Sequence, residues 1–206
     1  MVKKHQPKTP TTAMTHIPEH FSPLVQLYHD MDKAWNQVAQ QYGFQCNGCE
    51  DNCCLSLFFH HTHAEASFLE FGLQTLPSND QKHVLTLSRD YCRQTFSEAA
   101  KNQNPPGSQK IPCPLLKTDR CSLYNFRPMI CRLHGLPHEL HKPGFNVIKG
   151  PGCDAGKFDS RTYVPFDRTP FYKQMAVIEM NFRQLTGKTG KIKKTIAQIL
   201  VDSMPR

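Results

Sequence analysis

The residues of this chain whose type and spacing could do chemistry are its nine cysteines. Four stand in one short stretch, Cys46-Asn-Gly-Cys49-Glu-Asp-Asn-Cys53-Cys54, which reads C-x2-C-x3-C-C. A C-x2-C pair can turn two thiolates toward one ion, and Gly48 relaxes the tight bend that this requires. The polar neighbours Asn47, Glu50 and Asp51 argue against the other common use of cysteine, as a small buried hydrophobe. Adjacent Cys53 and Cys54 pose a geometric problem. Neighbouring side chains diverge by about 100° on a helix and point oppositely on a strand, so the two should not easily share one ion.

Four further cysteines are spread out. Cys113 lies between two prolines, Cys121 opens CSLYNFRP, Cys131 opens CRLHG, and Cys153 sits in GPGCD. Proline and glycine fix these backbones where a helix would not. Together the two sets supply enough thiols for two four-thiolate sites, or for one mixed site with thiols to spare. Cys92 lies on a helical pattern and is expected to be an ordinary core or surface cysteine. Thiolates are soft ligands that select zinc or iron–sulfur over magnesium or calcium. They do not choose between those two, because C-x2-C pairs serve zinc ribbons and iron–sulfur proteins alike.

Other polar residues near the cysteines admit two readings. His60, His61 and His63 follow the first cluster, and His134 follows Cys131, with His138 and His141 beyond. Each is a possible metal ligand, although a helix start also accepts histidine for no further purpose. Arg120, Arg127 and Arg132 lie among the second set. A thiolate centre is net anionic, so guanidinium groups would lower its charge. Alternatively they form ordinary ion pairs with Asp119 or Asp154. Tyr124 and Phe126 are expected to pack the core. The chain lacks a glycine-rich phosphate loop, an H-E-x-x-H helix, a G-x-S-x-G elbow and the C-x3-C-x2-C triad of radical S-adenosylmethionine enzymes.

The elements that must position these groups are mostly helical. Ser22 as N-cap and Pro23 at N1 open a helix along which Leu24, Leu27, Tyr28, Met31, Trp35, Val38 and Ala39 recur at three- and four-residue spacing, with Gly43 as its stop. Thr62-His-Ala-Glu65 is a capping-box pattern ahead of a short helix that ends near Pro77. Ser78-Asn79-Asp80 starts another that runs to about residue 101, broken by Asn104-Pro-Pro-Gly107. Residues 111–158 show little periodicity and predict short strands and loops folded around ligands. A helix resumes at Thr169-Pro170 and stops at Gly187, and a basic helix is expected over roughly 191–202. The fold class expected is mainly α, with an irregular cysteine-rich metal-binding core of short strands and loops packed against several helices. Three parts are expected: a disordered basic leader over 1–20, a metal-binding domain over 21–186, and a basic C-terminal helix over 187–206.

The net charge of +8 is confined to the ends. Three lysines fall in residues 1–10, six basic residues face only Asp202 in residues 183–206, and residues 11–182 balance. Such tails are usually solvated ends, so nucleic acid is not expected as a partner. No apolar run reaches the roughly 20 residues needed to cross a bilayer. The lysines of the first residues have no apolar segment behind them, which predicts no secretory signal and a cytoplasmic location. Clustered cysteines in such a reducing compartment bind metal more often than they form disulfides.

The order C-x2-C-x3-C-C, then CPLL, then RCSLYNFRPMICR, then GPGC, resembles the YkgJ-like cysteine-cluster family, also called CxxCxxCC, from about residue 46 to 153. Its most specific part is Cys113 to Arg132. The resemblance implies that Cys46, Cys49, Cys53, Cys54, Cys113, Cys121, Cys131 and Cys153 are the metal-binding set, with Arg127, Pro128 and Arg132 as accompanying motif residues. Cys92 has no counterpart. The family name implies two residues between the second and third cysteines, where this chain has Glu50-Asp51-Asn52. The cofactor expected is an iron–sulfur cluster, 4Fe-4S, with zinc as the alternative. The function expected is redox-linked, with an unidentified protein or redox partner. The alternative is a zinc-chelating structural or interaction module. Family members are labelled iron–sulfur oxidoreductases, and a related cluster occurs in flagellin lysine N-methylases, so an oxidoreductase or protein-modifying role is open. Catalytic residues are not readable.

Overall fold

The computed structural model describes residues 17–46, 53–97 and 110–203. Within them the chain is mainly α. A single 3-10 turn, Glu19–Phe21, runs directly into helix α1, Ser22–Gln41. Ser22 is therefore the first helical residue and not the cap. Its N–H already bonds Glu19 O, so no side-chain cap is required, while Pro23 sits in the first turn as expected. The apolar stripe Leu24, Leu27, Tyr28, Met31, Val38 and Ala39 is buried.

Helix α2, His63–Gln74, begins at Thr62, whose side chain accepts from Glu65 N. Nearly every side of α2 is covered: Ala64, Glu65, Ala66, Phe68, Leu69, Gly72 and Leu73 are all buried. A helix apolar all round belongs at the centre of a fold, and α2 packs on the turn Tyr124–Phe126 and on both C-terminal helices. Gly72 makes the first contact possible. A Cβ there would overlap the Phe126 ring, so only glycine lets the turn approach this closely. Phe126 in turn sits 4.9 Å from Phe68 and 6.0 Å from Phe71, centroid to centroid.

Helix α3, Ser78–Phe96, follows Pro77 and ends at extended Ser97. The expected Asn104–Gly107 breaker lies outside the described residues. The irregular half then appears as expected. Strands β1 (Leu116–Lys117) and β2 (Arg120–Cys121) form one antiparallel pair, with Leu116 opposite Cys121. Helix α4, Met129–Leu133, is barely more than one turn. Strands β3 (His138–Leu140) and β4 (Ile148–Gly150) form a second antiparallel pair. Helix α5, Thr169–Thr186, ends at left-handed Gly187. Helix α6, Ile196–Asp202, starts later than its basic pattern suggested, because Thr195 and Gln198 form a reciprocal capping box there. Lys194 instead pairs with His60 through two backbone bonds, 2.7 and 3.1 Å, and α6 packs on α3 and α2. No helix among the described residues is long and apolar enough to cross a membrane.

Candidate metal centre

Short backbone links draw the separated cysteines toward one another. Cys53 and Cys54 occupy a 3-10 turn, Cys53–Leu55. Cys113 N donates to Cys54 O at 2.7 Å, which ties the first cluster to the second set. Leu116 N donates to Cys113 O at 2.9 Å, and the β1–β2 pair carries the chain back so that Cys121 lies beside this turn. Cys131 sits on α4, whose first turn closes with Cys131 N donating to Pro128 O at 3.0 Å. Thiols from three distant segments thus share one environment. The charge of Cys53 acts on Cys113, Cys121 and Cys131, and its own thiol bonds Cys54.

Burial pushes the Cys113, Cys121 and Cys131 thiols above the ordinary range, and neighbouring thiols add to the effect. Cys53 is raised first by its bond to Cys54 and then by burial. The guanidinium of Arg127 works against the shift at Cys53, Cys121 and Cys131, and Arg132 does so at Cys121. These arginines do not pair with Asp119 or Asp154. Both reach across to Asp32 on α1, Arg127 Nη2 at 3.0 Å and Arg132 Nη1 at 2.5 Å. Asp32 faces the buried side of the motif from a neighbouring helix, whereas Asp119 lies in the exposed β1–β2 turn.

Arg132 also donates to Arg127 O at 2.9 Å and Asn125 O at 2.6 Å, and lies over the Tyr28 ring at 4.1 Å. Tyr124 is not a core residue. It is half exposed and serves as a platform for Arg127, 4.0 Å from its ring centroid, with Arg120 at 5.8 Å. Phe126 is in the core as expected. Glu65, a fully enclosed carboxylate, accepts from Met129 N at 2.6 Å, Thr62 Oγ1 at 2.7 Å and Tyr28 Oη at 3.2 Å. Burial raises its pKa. One buried donor in this network is unmatched: Arg127 Nε has no hydrogen-bond partner among the described residues.

The remaining predicted ligands are placed differently. Cys153 is held by its N–H to Gly135 O at 2.9 Å. A Cβ at Gly135 would meet Cys153 Sγ, the Phe44 ring and the Trp35 ring at 3.9 Å each, so these three side chains surround one point. Gly135 has φ +101°, a conformation that disfavours any other residue. Trp35 Nε1 donates to His134 O at 2.8 Å, and the His134 ring lies 5.4 Å from Phe58. Cys46 is exposed, at the edge of the described segment. Cys49 lies outside the described residues. Cys92 is on α3, half-buried, and feels Asp202 of α6.

Four of the histidines have neighbours of their own. His60 is buried against Lys194, His63 Nε2 is 3.3 Å from Gly190 O, His138 packs on Gly150, and His141 reaches Glu139. Among the described residues, no three of His, Cys, Asp or Glu stand close enough to enclose one ion. Asp32, Glu65 and Tyr28 are the site residues that sequence reasoning missed. Their signal was an acid within the apolar side of α1, one turn after Tyr28, and an acid in a helix otherwise apolar.

Residues 45–149, just over half of the chain, match the CxxCxxCC family, described as a "putative zinc- or iron-chelating domain". The chain belongs to this family. No curated protein and no solved structure matches it. As a CxxCxxCC protein it is a metal-binding protein, and the thiols of Cys53, Cys113, Cys121 and Cys131 are near enough to act on one another electrostatically. Its α1, α5 and α6 lie outside the matched segment and frame it.

Proposed function

We propose that this chain holds an iron–sulfur cluster on ligands drawn from Cys46, Cys49, Cys53, Cys54, Cys113, Cys121, Cys131 and Cys153, and serves a redox-linked role with a protein partner in the cytoplasm. The observation that carries the reading is a set of mutually interacting thiols backed by two guanidinium groups, one of which keeps a buried N–H without an acceptor. A metal–sulfur centre is anionic and its sulfurs accept hydrogen bonds, so both features fit it. When bound, such a cluster supplies one-electron transfer.

The chain's own residues do the rest. Arg127 and Arg132 offset the thiolate charge. Trp35, Phe44 and Phe58 bring apolar surface against the Cys153–His134 side and keep water away. The partly raised thiols surrender their protons only to a metal that repays the burial of charge.

Trp35, the only tryptophan, makes the test optical. Its ring and Cys153 Sγ each reach within 3.9 Å of one point. Protein purified without oxygen should be brown, carry iron and labile sulfide, and show quenched Trp35 emission that recovers when the iron is removed. Zinc is d10 and absorbs no visible light. Colourless protein with stoichiometric zinc and unquenched emission would refute the iron–sulfur reading in favour of a zinc module.

A further inference from the structure

We infer that Asp32 is a positioning residue of the metal centre: it locks Arg127 and Arg132, and through them the Cys121–Cys131 segment, in a metal-ready conformation, and aims Arg127 Nε at a ligated sulfur. The inference rests on the metal-binding reading above. It extends the centre to α1, which the family match does not reach.

Each oxygen of Asp32 takes one guanidinium, Oδ1 from Arg127 and Oδ2 from Arg132. Arg132 also donates from Nε to Arg127 O and from Nη2 to Asn125 O, so its fork grips the backbone between the two cysteines at two points. The Tyr28 and Tyr124 rings close the other faces of the two guanidiniums, at 4.1 and 4.0 Å. Glu65 holds the next backbone donor, Met129 N, from α2. The segment that carries both cysteines is therefore fixed from two helices by bonds in which no metal takes part. The Arg132 side chain is 5% exposed and Asp32 35%, so the pair is screened from water on the arginine side. A planar fork held at three points is something lysine cannot reproduce.

The fixed fork also explains an otherwise costly feature. Arg127 spends Nη2 on Asp32 and its plane on Tyr124, which orients Nε inward, where it is buried without a partner. A buried donor left unmade is disfavoured by about 1–3 kcal/mol, and native structures rarely keep one without a reason. The charge of Arg127 acts on Cys53, Cys121 and Cys131, and the acceptor assigned to its buried Nε is one of their sulfurs.

The test uses the full chain, reduced and metal-free under anaerobic conditions, titrated with Co2+ alone. Asp32→Asn should weaken Co2+ affinity at least tenfold and move the sulfur-to-cobalt charge-transfer band, with the far-ultraviolet circular dichroism unchanged. Arg127→Lys keeps the charge but not Nε, and should move the band with a smaller change in affinity. If both variants match the wild type in affinity and band position, the inference is overturned. Should Asp32→Asn not fold, Arg127→Lys alone decides by its band. Hydrogen exchange of residues 121–132 tests the positioning separately. In the metal-free wild type these amides should be protected, and in Asp32→Asn they should exchange at least tenfold faster. Exchange at unfolded-chain rates in the metal-free wild type overturns the positioning role whatever the metal does. A wild type that takes up no Co2+ refutes the metal reading instead, and the exchange comparison then judges the clamp by itself.

Discussion

Replacing Glu65 by alanine should be among the most damaging single changes in the chain, while replacing it by glutamine should be mild. The carboxylate is 4% exposed and accepts from three donors, Met129 N, Thr62 Oγ1 and Tyr28 Oη. Thr62 can rotate its hydroxyl elsewhere, so Glu65→Ala strands two buried donors. At about 1–3 kcal/mol each, with some further loss from the space vacated, the expected destabilisation is about 4 kcal/mol. For a chain of this size that lowers Tm by roughly 8–16 °C. Glutamine keeps an acceptor for Met129 N and Tyr28 and offers an N–H to Thr62 Oγ1. It also removes a charge that burial disfavours, since the Glu65 pKa is raised. The sign follows from that direction. As pH rises past the ordinary carboxylate range the unfolded chain releases its proton first, so the native state loses stability relative to a neutral side chain there. Glutamine should thus cost less than about 1 kcal/mol at neutral pH, and its standing against the wild type should improve between pH 4 and 7. Urea unfolding at several pH values measures both. Alanine costing under about 1 kcal/mol, or glutamine costing as much as alanine, would refute the account of Glu65 as the anchor of α4.

Three further outcomes are expected. His60 is buried with Nε2 unpartnered, and burial followed by the nearby His61 lowers its pKa to about 4 from 6.5; stability should therefore fall as pH drops from about 6.5 toward 4, where only the unfolded chain gains the proton, by up to about 3 kcal/mol. His60→Leu should flatten that slope in urea titrations, and an unchanged slope counts against it. Metal loading should strengthen steeply with rising pH and release protons, because the Cys53, Cys113, Cys121 and Cys131 thiols are all raised; calorimetry in buffers of different ionisation enthalpy reads the proton count, and a count of zero contradicts it. Cys121→Ser and Cys131→Ser should lose most of the bound metal, whereas Cys92→Ser should keep both metal content and spectrum. The reverse pattern in elemental analysis would overturn the ligand assignment.

What could be read from the chain and what could not divide along sequence distance. The stripe from Leu24 to Ala39, the Thr62–Glu65 cap and the Gly187 stop are local rules, and each appears where its spacing puts it. The irregular character of residues 111–158 was legible for the same reason, since prolines and glycines exclude long elements locally. The partner of the arginines was not. Asp32 lies 95 and 100 residues from Arg127 and Arg132, and nothing near it announces the pairing, while Asp119 and Asp154 are nearer in sequence and exposed. Tyr124 failed similarly: an aromatic beside Phe126 reads as core, but a guanidinium plane over its ring keeps it at the surface. The basic run before α6 has helical spacing, yet Lys194 is claimed by the backbone of His60 and the Thr195 cap wins the start.

The adjacent pair Cys53-Cys54 shows how local geometry and long-range packing combine at the centre. Consecutive side chains in a 3-10 turn point about a third of a turn apart, so one thiol must face away when the other faces a common centre. Cys53 is the one whose charge acts on Cys113, Cys121 and Cys131. Cys54 contributes its carbonyl to Cys113 N instead, and its side chain receives or gives the bond to Cys53. The two thus differ: the charge of Cys53 acts on the second set, and the Cys54 carbonyl stitches the backbone of the first cluster to Cys113. Cys153 has Trp35 and Phe44 about it, and Phe44 precedes Cys46 by two residues. A metal held on these thiols would rest on short elements, the Cys53 turn, β2 and α4, fixed from α1 and α2 through Asp32 and Glu65, so substitutions far from any cysteine should change how it is held.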